Sequence, residues 1–217
     1  MHLPIHGDTV VPKAHEADDF VQYEITGPIH ASSFLNSLIV PRPIAFVTTI
    51  GPEKIVNAAP FSYFNVVCTN PPMVSIAIER KKGVRKDTSR NIAATGEFAV
   101  NICSIDLAKA ISIAGGDFPP EISEIELAGL SLIPSEEIEV PRVANSLAQI
   151  ECVLFKIIEL GEDPTDLILG RIVKVHVHKS IINSRGGIDI EKLNPLARLA
   201  GSTYGKVGDY FNIARGL

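Results

Sequence analysis

Residues 41–65 read PRPIAFVTTIGPEKIVNAAPFSYFN, and they carry the clearest signal of the fold. β-branched and aromatic residues dominate Ile44 to Ile50, a composition that favours a strand. Gly51-Pro52-Glu53-Lys54 supplies turn residues, and Ile55-Val56 resumes the apolar pattern. The stretch therefore predicts a β-hairpin.

Working outward, the same β-rich composition recurs along the chain. Apolar runs separated by turn residues predict further strands at Phe64–Cys68, Met73–Glu79, Phe98–Cys103, Ile150–Ile158 and Leu167–His178. Predicted helices are fewer and short: Ala31–Ile39, Asp87–Ala94 closed by Gly96, Ile105–Ile113 closed by Gly115-Gly116, and an acidic segment around Ile122–Ala128. This order predicts a closed β-barrel with helices at its edge, because closure removes exposed strand edges. We expect one domain over 31–217, preceded by an extended arm over 1–30.

Composition narrows the class of partner. The 217 residues include 20 basic and 25 acidic side chains, a net charge of −5, with 46% hydrophobic residues. This balance argues against a nucleic-acid partner, which needs a clustered basic face, and favours a small molecule. Three cysteines far apart predict free thiols in a reducing compartment. The start of the chain lacks a signal-peptide pattern and no apolar run is long enough to cross a membrane, so we expect a cytoplasmic protein.

Several familiar site motifs are missing from the sequence. It contains no GxGxxG, no GxxxxGK[ST], no HExxH and no GxSxG. No motif therefore favours a Rossmann fold, a P-loop nucleotide site, a zinc peptidase or a serine hydrolase. His176 and His178 lie two apart on a predicted strand and so share a face. No third ligand has a matching spacing, so we favour surface or interface histidines over a metal site.

An anion site is predicted at the start of the helix that follows residue 86. Asp87 can cap this helix, its first turn offers backbone N–H groups and a positive dipole end, and Lys86, Arg80 and the Thr88 hydroxyl add charge and donors. A phosphate group suits such a place. The alternative is a solvated basic loop over 80–86 with an ordinary helix cap.

Three blocks in order, PRPIAFVTTIG at 41–51, NAAPFSYFN at 57–65, and ER followed by KDTSRNI at 79–92, resemble the flavin reductase-like, FMN-binding split-barrel family, which includes flavoredoxins and NAD(P)H:flavin oxidoreductases. The resemblance continues through GEFAVNI at 96–102, PRVANS at 141–146, LGRIVKVHVH at 169–178 and RLAGSTY at 198–204. It implies a mainly β fold, a Greek-key split β-barrel with a few peripheral helices. It also implies that the phosphate of FMN binds at the KDT position.

The resemblance further implies a cradle for the flavin ring. Ala58 and Ala59 leave room for a flat ring, and Phe61 offers apolar surface. The remaining implied contacts are Ser62, Asn57, Thr48 and Thr49 near the ring, with Asn91 and Ser89 near the phosphate. Thr48 and Thr49 could equally be ordinary strand residues.

FMN is expected rather than FAD, because one anion site is visible and no adenine or pyrophosphate motif accompanies it. FMN supplies the redox chemistry itself, so no catalytic side chain is nominated. The candidates for the nicotinamide side are His176, His178, Gly201 and Tyr204.

Arg42, held between two prolines, either reaches a cofactor or partner subunit or is an ordinary surface arginine. Cys68 is expected to be a packed thiol rather than a redox centre.

The resulting expectation is an FMN-binding oxidoreductase that reduces flavin or another small acceptor with NAD(P)H. The alternatives are a non-catalytic flavoredoxin-type electron-transfer or flavin-carrier protein, and a scaffold or nucleic-acid-binding barrel, which would be colourless when purified. The arm and the tail, 193–217, carry apolar residues with weak periodicity, among them Leu193, Leu196, Leu199, Tyr204 and Phe211. Such segments suggest packing on a second copy, so we expect a homodimer with shared flavin sites, as the family pattern also implies. The alternative is that both ends wrap their own barrel.

Overall fold

The structure is a computed structural model that describes residues 14–16, 19–23, 28–119, 121–211 and 213. The helices are α1 (Pro28–Leu38), α2 (Asp87–Thr95), α3 (Ala108–Ala114), α4 (Glu124–Leu127) and α5 (Ile190–Leu193). The strands are β1 (Arg42–Pro43), β2 (Ala45–Ile50), β3 (Val56–Phe61), β4 (Phe64–Thr69), β5 (Pro72–Glu79), β6 (Glu97–Ile102), β7 (Leu132–Ile133), β8 (Arg142–Val143), β9 (Ala148–Leu160), β10 (Thr165–Val177), β11 (Leu196–Arg198) and β12 (Tyr204–Lys206). Short 3-10 turns occupy Ile105–Leu107 and Lys179–Ile181.

Seven strands form one antiparallel sheet in the order β3-β2-β6-β9-β10-β5-β4. The predicted hairpin is β2–β3, in which Ala45 lies opposite Phe61 and Thr48 opposite Ala58. After β5 the chain passes through α2 and returns as β6, which is separated from β5 in the sheet by β10 and β9, so the connection is a Greek-key crossover. The expected mainly β, Greek-key split barrel with peripheral helices is confirmed.

The interior of the barrel is filled by apolar side chains from six strands, β2, β3, β5, β6, β9 and β10, and from α2. Phe98, Ile76, Ile78 and Ile168 are fully buried in one cluster. Gly170 on β10 makes room for this packing, since a Cβ atom there would overlap the ring of Phe98. A second buried cluster joins β2 and β3 to α3 and α4 on the outside of the sheet. This second cluster fixes α3 and α4 against the hairpin that was predicted to carry the site.

The two ends of the domain depart from the predicted boundaries. The first helix begins at Pro28 rather than Ala31, which suits a proline because its fixed φ is already helical. Much of the predicted arm lies outside the described residues. In the tail, β11 pairs with both β1 and β12. Leu196, expected to pack on a neighbour, is 2% exposed and lies in the core of its own chain.

The peripheral helices otherwise follow the sequence with small shifts. α2 ends at Gly96, which takes the left-handed conformation (φ 75°) that glycine permits. The predicted helix over 105–113 divides into a 3-10 turn and α3, and the acidic segment forms only the four-residue α4. In the described part of the chain, no helix is both long enough and apolar enough to cross a bilayer.

Candidate functional site

A cleft of about 330 Å³ opens where the start of α2 meets the edge strand β3. Its walls come from β3, from the β5–α2 connection, from the end of α3 with the loop after it, and from α4. The sequence-predicted residues that line it are Asn57, Ala59, Phe61, Lys86, Asp87 and Thr88. Ala59 and Phe61 provide an apolar wall, whereas the α2 side is cationic.

The first turn of α2 has no side-chain cap. The helix begins at Asp87, with Lys86 in the N-cap position at φ −65° and ψ 158°. Asp87, predicted as the cap, instead forms an ion pair with Arg90 one turn along the helix. The cap prediction is therefore wrong, because Asp87 lies inside the helix and faces an arginine. The opening N–H groups of a helix have no partner within the helix, so this end can receive an anion.

A hydrogen-bond network ties this helix end to the hairpin. Asn57 Oδ1 accepts from the Thr88 hydroxyl at 3.0 Å and from the Thr49 hydroxyl at 3.3 Å. Asn91 Nδ2 in turn donates to Thr49 Oγ1 at 3.0 Å. On its other side, Asn57 Nδ2 donates to Glu124 Oε1 at 2.8 Å. Thr49 and Asn91 thus support the wall of the cleft rather than line it.

Most cations around the cleft already have carboxylate partners. Lys81 pairs with Asp117 at 2.5 Å, Arg90 pairs with Asp87, and Arg85 contacts two further carboxylates. Lys86 is exposed at the N-cap, and within the described ranges no carboxylate lies within ion-pair distance of it. Its charge is therefore available to a ligand.

Arg80, predicted to belong to the phosphate site, is held by acidic residues. It donates to Asp166 Oδ1 from Nε at 3.2 Å and from Nη2 at 2.6 Å, and it pairs with Glu159 at 2.7 Å. Its hydrogen bonds to these two carboxylates raise the pKa of the guanidinium. Asp166 is fully buried and also accepts from the Ser89 hydroxyl at 2.5 Å. Burial alone would raise the pKa of Asp166, but the hydrogen bonds and positive charges around it lower it below its ordinary value.

A larger cleft of about 1400 Å³ continues from the smaller one, and both are lined by Pro60, Phe61, Lys86 and Gly115. Its other walls are α1, the end of β3, the β9–β10 turn and the β11–β12 turn. The predicted residues that line it are Arg42, Ser62, Arg80, Gly201 and Tyr204. The two clefts together form one continuous groove.

Arg42 lies at the base of the larger cleft and is 8% exposed. Its Nη1 donates to the carbonyls of Asn36 and Ile39 at 2.6 and 2.7 Å, and its Nη2 donates to the carbonyl of Leu199 at 2.9 Å. The surface alternative for Arg42 is therefore wrong, whereas a role towards a cofactor or a partner subunit stays a prediction. It joins the wall formed by α1 to the wall formed by the tail.

Other predicted residues lie away from the groove. Thr48 is fully buried, and its hydroxyl donates to the Pro141 carbonyl at 2.7 Å. Ala58, on β3, is buried in the cluster that joins the hairpin to α3 and α4. His176 contacts the buried Glu151 at 2.6 Å, and His178 contacts Ser180 at 2.7 Å. The two histidines thus have separate partners, and the described residues hold no group of three ligands suited to a metal ion.

The cysteines are free, as the sequence indicates. Cys103 and Cys152 are buried, and burial raises the pKa of each thiol to about 12. Cys68 is half-buried on β4. None of the three lines the groove.

Sequence reasoning missed two buried carboxylates that shape the groove, Glu124 and Asp166. The residues next to each of them in the sequence are ordinary acidic or apolar ones. Each accepts a hydrogen bond from a residue more than 60 positions away in the sequence. Ser123-Glu124 ahead of a short apolar segment is the only local hint, and it reads as an ordinary helix start.

Comparison with known proteins places the chain among relatives of the same architecture. Residues 37–190 match the flavin reductase like domain. An uncharacterised protein of Halalkalibacterium halodurans is 42% identical over 182 residues, 82% of this chain and 87% of that protein. Nitrilotriacetate monooxygenase component B from Bacillus cereus is 42% identical with a TM-score of 0.85, covering 89% of this chain and 100% of that one. The 2-nitrobenzoate 2-nitroreductase NbaA of Pseudomonas fluorescens is 29% identical with a TM-score of 0.79, covering 94% and 96%.

The domain match extends over more than half of the chain, from the end of α1 to the start of α5. It includes the hairpin, α2 and every strand of the seven-stranded sheet. The chain therefore belongs to the flavin reductase-like domain family.

Proposed function

We propose that the chain is an FMN-binding oxidoreductase that reduces flavin or another small acceptor with NAD(P)H. The observation that carries this proposal is Lys86, an exposed cation that forms no ion pair in the described structure and stands at an uncapped helix start. It borders a groove whose other wall is the apolar surface of Ala59 and Phe61. A cationic end beside an apolar wall suits a ligand with a phosphate at one end and a flat ring at the other.

The residues at the site fit FMN. Lys86 and the N–H groups that open α2, the backbone N–H of Thr88 among them, would hold the phosphate, because anions bind at helix starts through such donors. The Thr88 hydroxyl donates its proton to Asn57 and would position the helix start instead. Ala59, Phe61 and Ser62 would contact the ring along the end of β3. Bound there, FMN would supply hydride and single-electron transfer, chemistry that does not require an acid or base from the protein.

The chain itself would bind and orient the reactants. The larger cleft adjoins the ring side of the proposed site and offers polar and cationic residues, so a nicotinamide or a small acceptor would enter there. A small aromatic compound is one acceptor to test, because a related protein is a 2-nitrobenzoate 2-nitroreductase. Arg42 would keep the walls of this cleft in place.

The direct test begins with the purified protein. We expect a yellow protein that releases FMN on denaturation, and bleaching of its flavin absorption on anaerobic mixing with NADH or NADPH. A colourless protein that takes up no FMN on titration would contradict the proposal. Release of FAD would contradict the choice of cofactor.

A flavoredoxin-type electron carrier is the second possible function, since the same groove would serve it. The anaerobic experiment separates the two. Bleaching by a nicotinamide within the mixing time supports the reductase. Bleaching by a reduced protein partner alone supports the carrier.

Replacing Lys86 with alanine is expected to weaken FMN binding by about 1–3 kcal/mol, the range for a hydrogen bond that involves a charged group. Titration with FMN, followed by quenching of flavin fluorescence, measures the change. Lys156→Ala is the matched control, because Lys156 is an exposed lysine on β9 that does not line either cleft. Equal affinities for the Lys86 variant and the wild type would remove Lys86 from the site.

We also propose a cytoplasmic homodimer. Free cysteines support a reducing compartment. Phe20, Tyr23 and Phe211 in the arm and tail are 54–64% exposed in the single chain. Val66 and Val67 on the edge strand β4 are 60% and 51% exposed. Exposed apolar surface of this extent supports burial against a second copy. Light scattering that gives a mass near 23.4 kDa with flavin bound would contradict the dimer.

A further inference from the structure

Glu124 is a buried carboxylate with a specific set of donors. It is 6% exposed and lies at the start of α4, in the wall of the smaller cleft. Its Oε2 accepts from the backbone N–H of Ala58 at 3.0 Å, and its Oε1 accepts from Asn57 Nδ2 at 2.8 Å. β3 is an edge strand of the seven-stranded sheet, so Glu124 takes the place that a neighbouring strand would occupy.

The carboxylate determines how Asn57 is oriented. An ionised glutamate only accepts hydrogen bonds, so Asn57 must turn its NH₂ group towards Glu124 and its oxygen towards α2. That oxygen then receives the hydroxyls of Thr88 and Thr49. A single orientation of Asn57 thus connects Glu124 to the first turn of α2.

We infer that Glu124 is a positioning residue that sets the phosphate-binding end of the groove. This inference rests on the proposed function. Glu124 acts through Asn57 on Thr88, and therefore on the placement of the α2 start relative to Ala59 and Phe61. It does so without supplying charge to the ligand, since a carboxylate beside a phosphate would repel it.

Glu124→Gln tests the inference because glutamine has the same shape but carries one donor group. With its oxygen towards Asn57, the new NH₂ group faces the Ala58 N–H; turned the other way, it faces Asn57 Nδ2. Either arrangement sets a donor against a donor, and relief requires the Asn57 amide to turn over, so that its NH₂ group faces the Thr88 and Thr49 hydroxyls. Those two buried hydroxyls then lose the oxygen that accepts from them, and the first turn of α2 is held less firmly while the apolar wall is retained.

The measurement compares FMN with riboflavin, which lacks the phosphate. For Glu124→Gln we expect the dissociation constant of FMN to rise about tenfold or more, the equivalent of one buried unsatisfied group. Riboflavin affinity should change much less, so that the preference for FMN over riboflavin shrinks. Glu126→Gln, an exposed glutamate on the same helix, is the matched control and should retain the preference of the wild type.

The other outcomes are distinguishable. Equal loss of affinity for FMN and riboflavin would indicate general damage and overturn the inference, as would an unchanged preference. Tighter FMN binding would mean that the carboxylate acts only as a repelling charge, which also overturns it. A wild type that binds neither flavin would refute the proposed function itself. If Glu124→Gln does not fold, Thr49→Val removes one of the two hydroxyls that hold Asn57; a smaller loss of the FMN preference supports the inference, and no loss contradicts it.

Discussion

Asp166→Ala is expected to lower the free energy of unfolding by about 3–5 kcal/mol, the effect of removing one partner from a buried ion pair. Asp166 is fully buried on β10 and is the shared acceptor for Arg80, Arg85 and Ser89. Without it, the Ser89 hydroxyl and most of the Arg80 guanidinium lose their acceptor in a site that admits little water. Glu159 still pairs with Arg80, which places the effect towards the lower end of the range.

The same substitution should also affect the groove, because Asp166 binds residues at both ends of the β5–α2 connection that contains Lys86. Arg80 begins that connection, Arg85 lies next to Lys86, and Ser89 lies in the first turn of α2. We therefore expect weaker FMN binding in addition to lower stability. Urea unfolding and FMN titration measure the two effects separately.

Glu162→Ala is the matched control for Asp166→Ala, because Glu162 is exposed in the turn that leads into β10. It should change stability by no more than about 0.5 kcal/mol, as surface substitutions usually do. A loss below about 1 kcal/mol in Asp166→Ala would show that the buried network contributes little to the fold.

Local sequence patterns were sufficient to predict the hairpin and the other strands of the seven-stranded sheet, but not the short strands outside it. The run Ile44 to Ile50, the turn after it and Gly96 each act within a few residues, where backbone preference and side-chain burial agree. The small helices are less well specified, because α4 is a single turn held by packing on β3 rather than by its own periodicity. Its length could not be read from the acidic segment alone.

The partners of the polar side chains could not be predicted in the same way. Arg80 stands in a basic loop, and only the fold brings Asp166 to it across 86 positions. Thr48 and Thr49 are adjacent in the sequence, yet the first donates to Pro141 and the second belongs to the network behind the cleft. Which hydroxyl faces which acceptor depends on contacts between distant segments. The roles of the predicted flavin-binding residues accordingly remain proposals.

His176 illustrates the same limit. Its position on a strand two residues from His178 indicates a surface or interface histidine, whereas its partner is a buried carboxylate on the neighbouring strand. Glu151 is fully buried and accepts from the backbone N–H groups of Glu136 and Glu137 at 2.9 and 2.7 Å, as well as contacting His176. These bonds fix the loop before β8 against the end of the sheet.

Glu151→Ala is the second substitution for which we expect a loss of about 3–5 kcal/mol in the free energy of unfolding. The substitution leaves the backbone N–H groups of Glu136 and Glu137 without an acceptor. It also removes the negative charge that lies 3.5 Å from Arg142 Nε. Among the buried side-chain atoms that the structure describes, that Nε already lacks a hydrogen bond. Denaturation in urea measures the loss, and Glu139→Ala, an exposed glutamate of the same loop, is its control.

Low pH is expected to reduce the free energy of unfolding through protonation of Glu151. Burial alone would raise the pKa of Glu151, but hydrogen bonds from Glu136, Glu137 and His176 lower it below the ordinary value. A carboxyl whose pKa is lower in the folded state stabilises the fold above its ordinary pKa of about 4.3, and that contribution is lost as the pH falls through the folded-state value. Between about pH 6 and about pH 3.5, Glu151→Gln should therefore lose less stability than the wild type, although it starts lower. Parallel pH profiles for the two proteins would show that Glu151 does not contribute to the acid sensitivity of the fold.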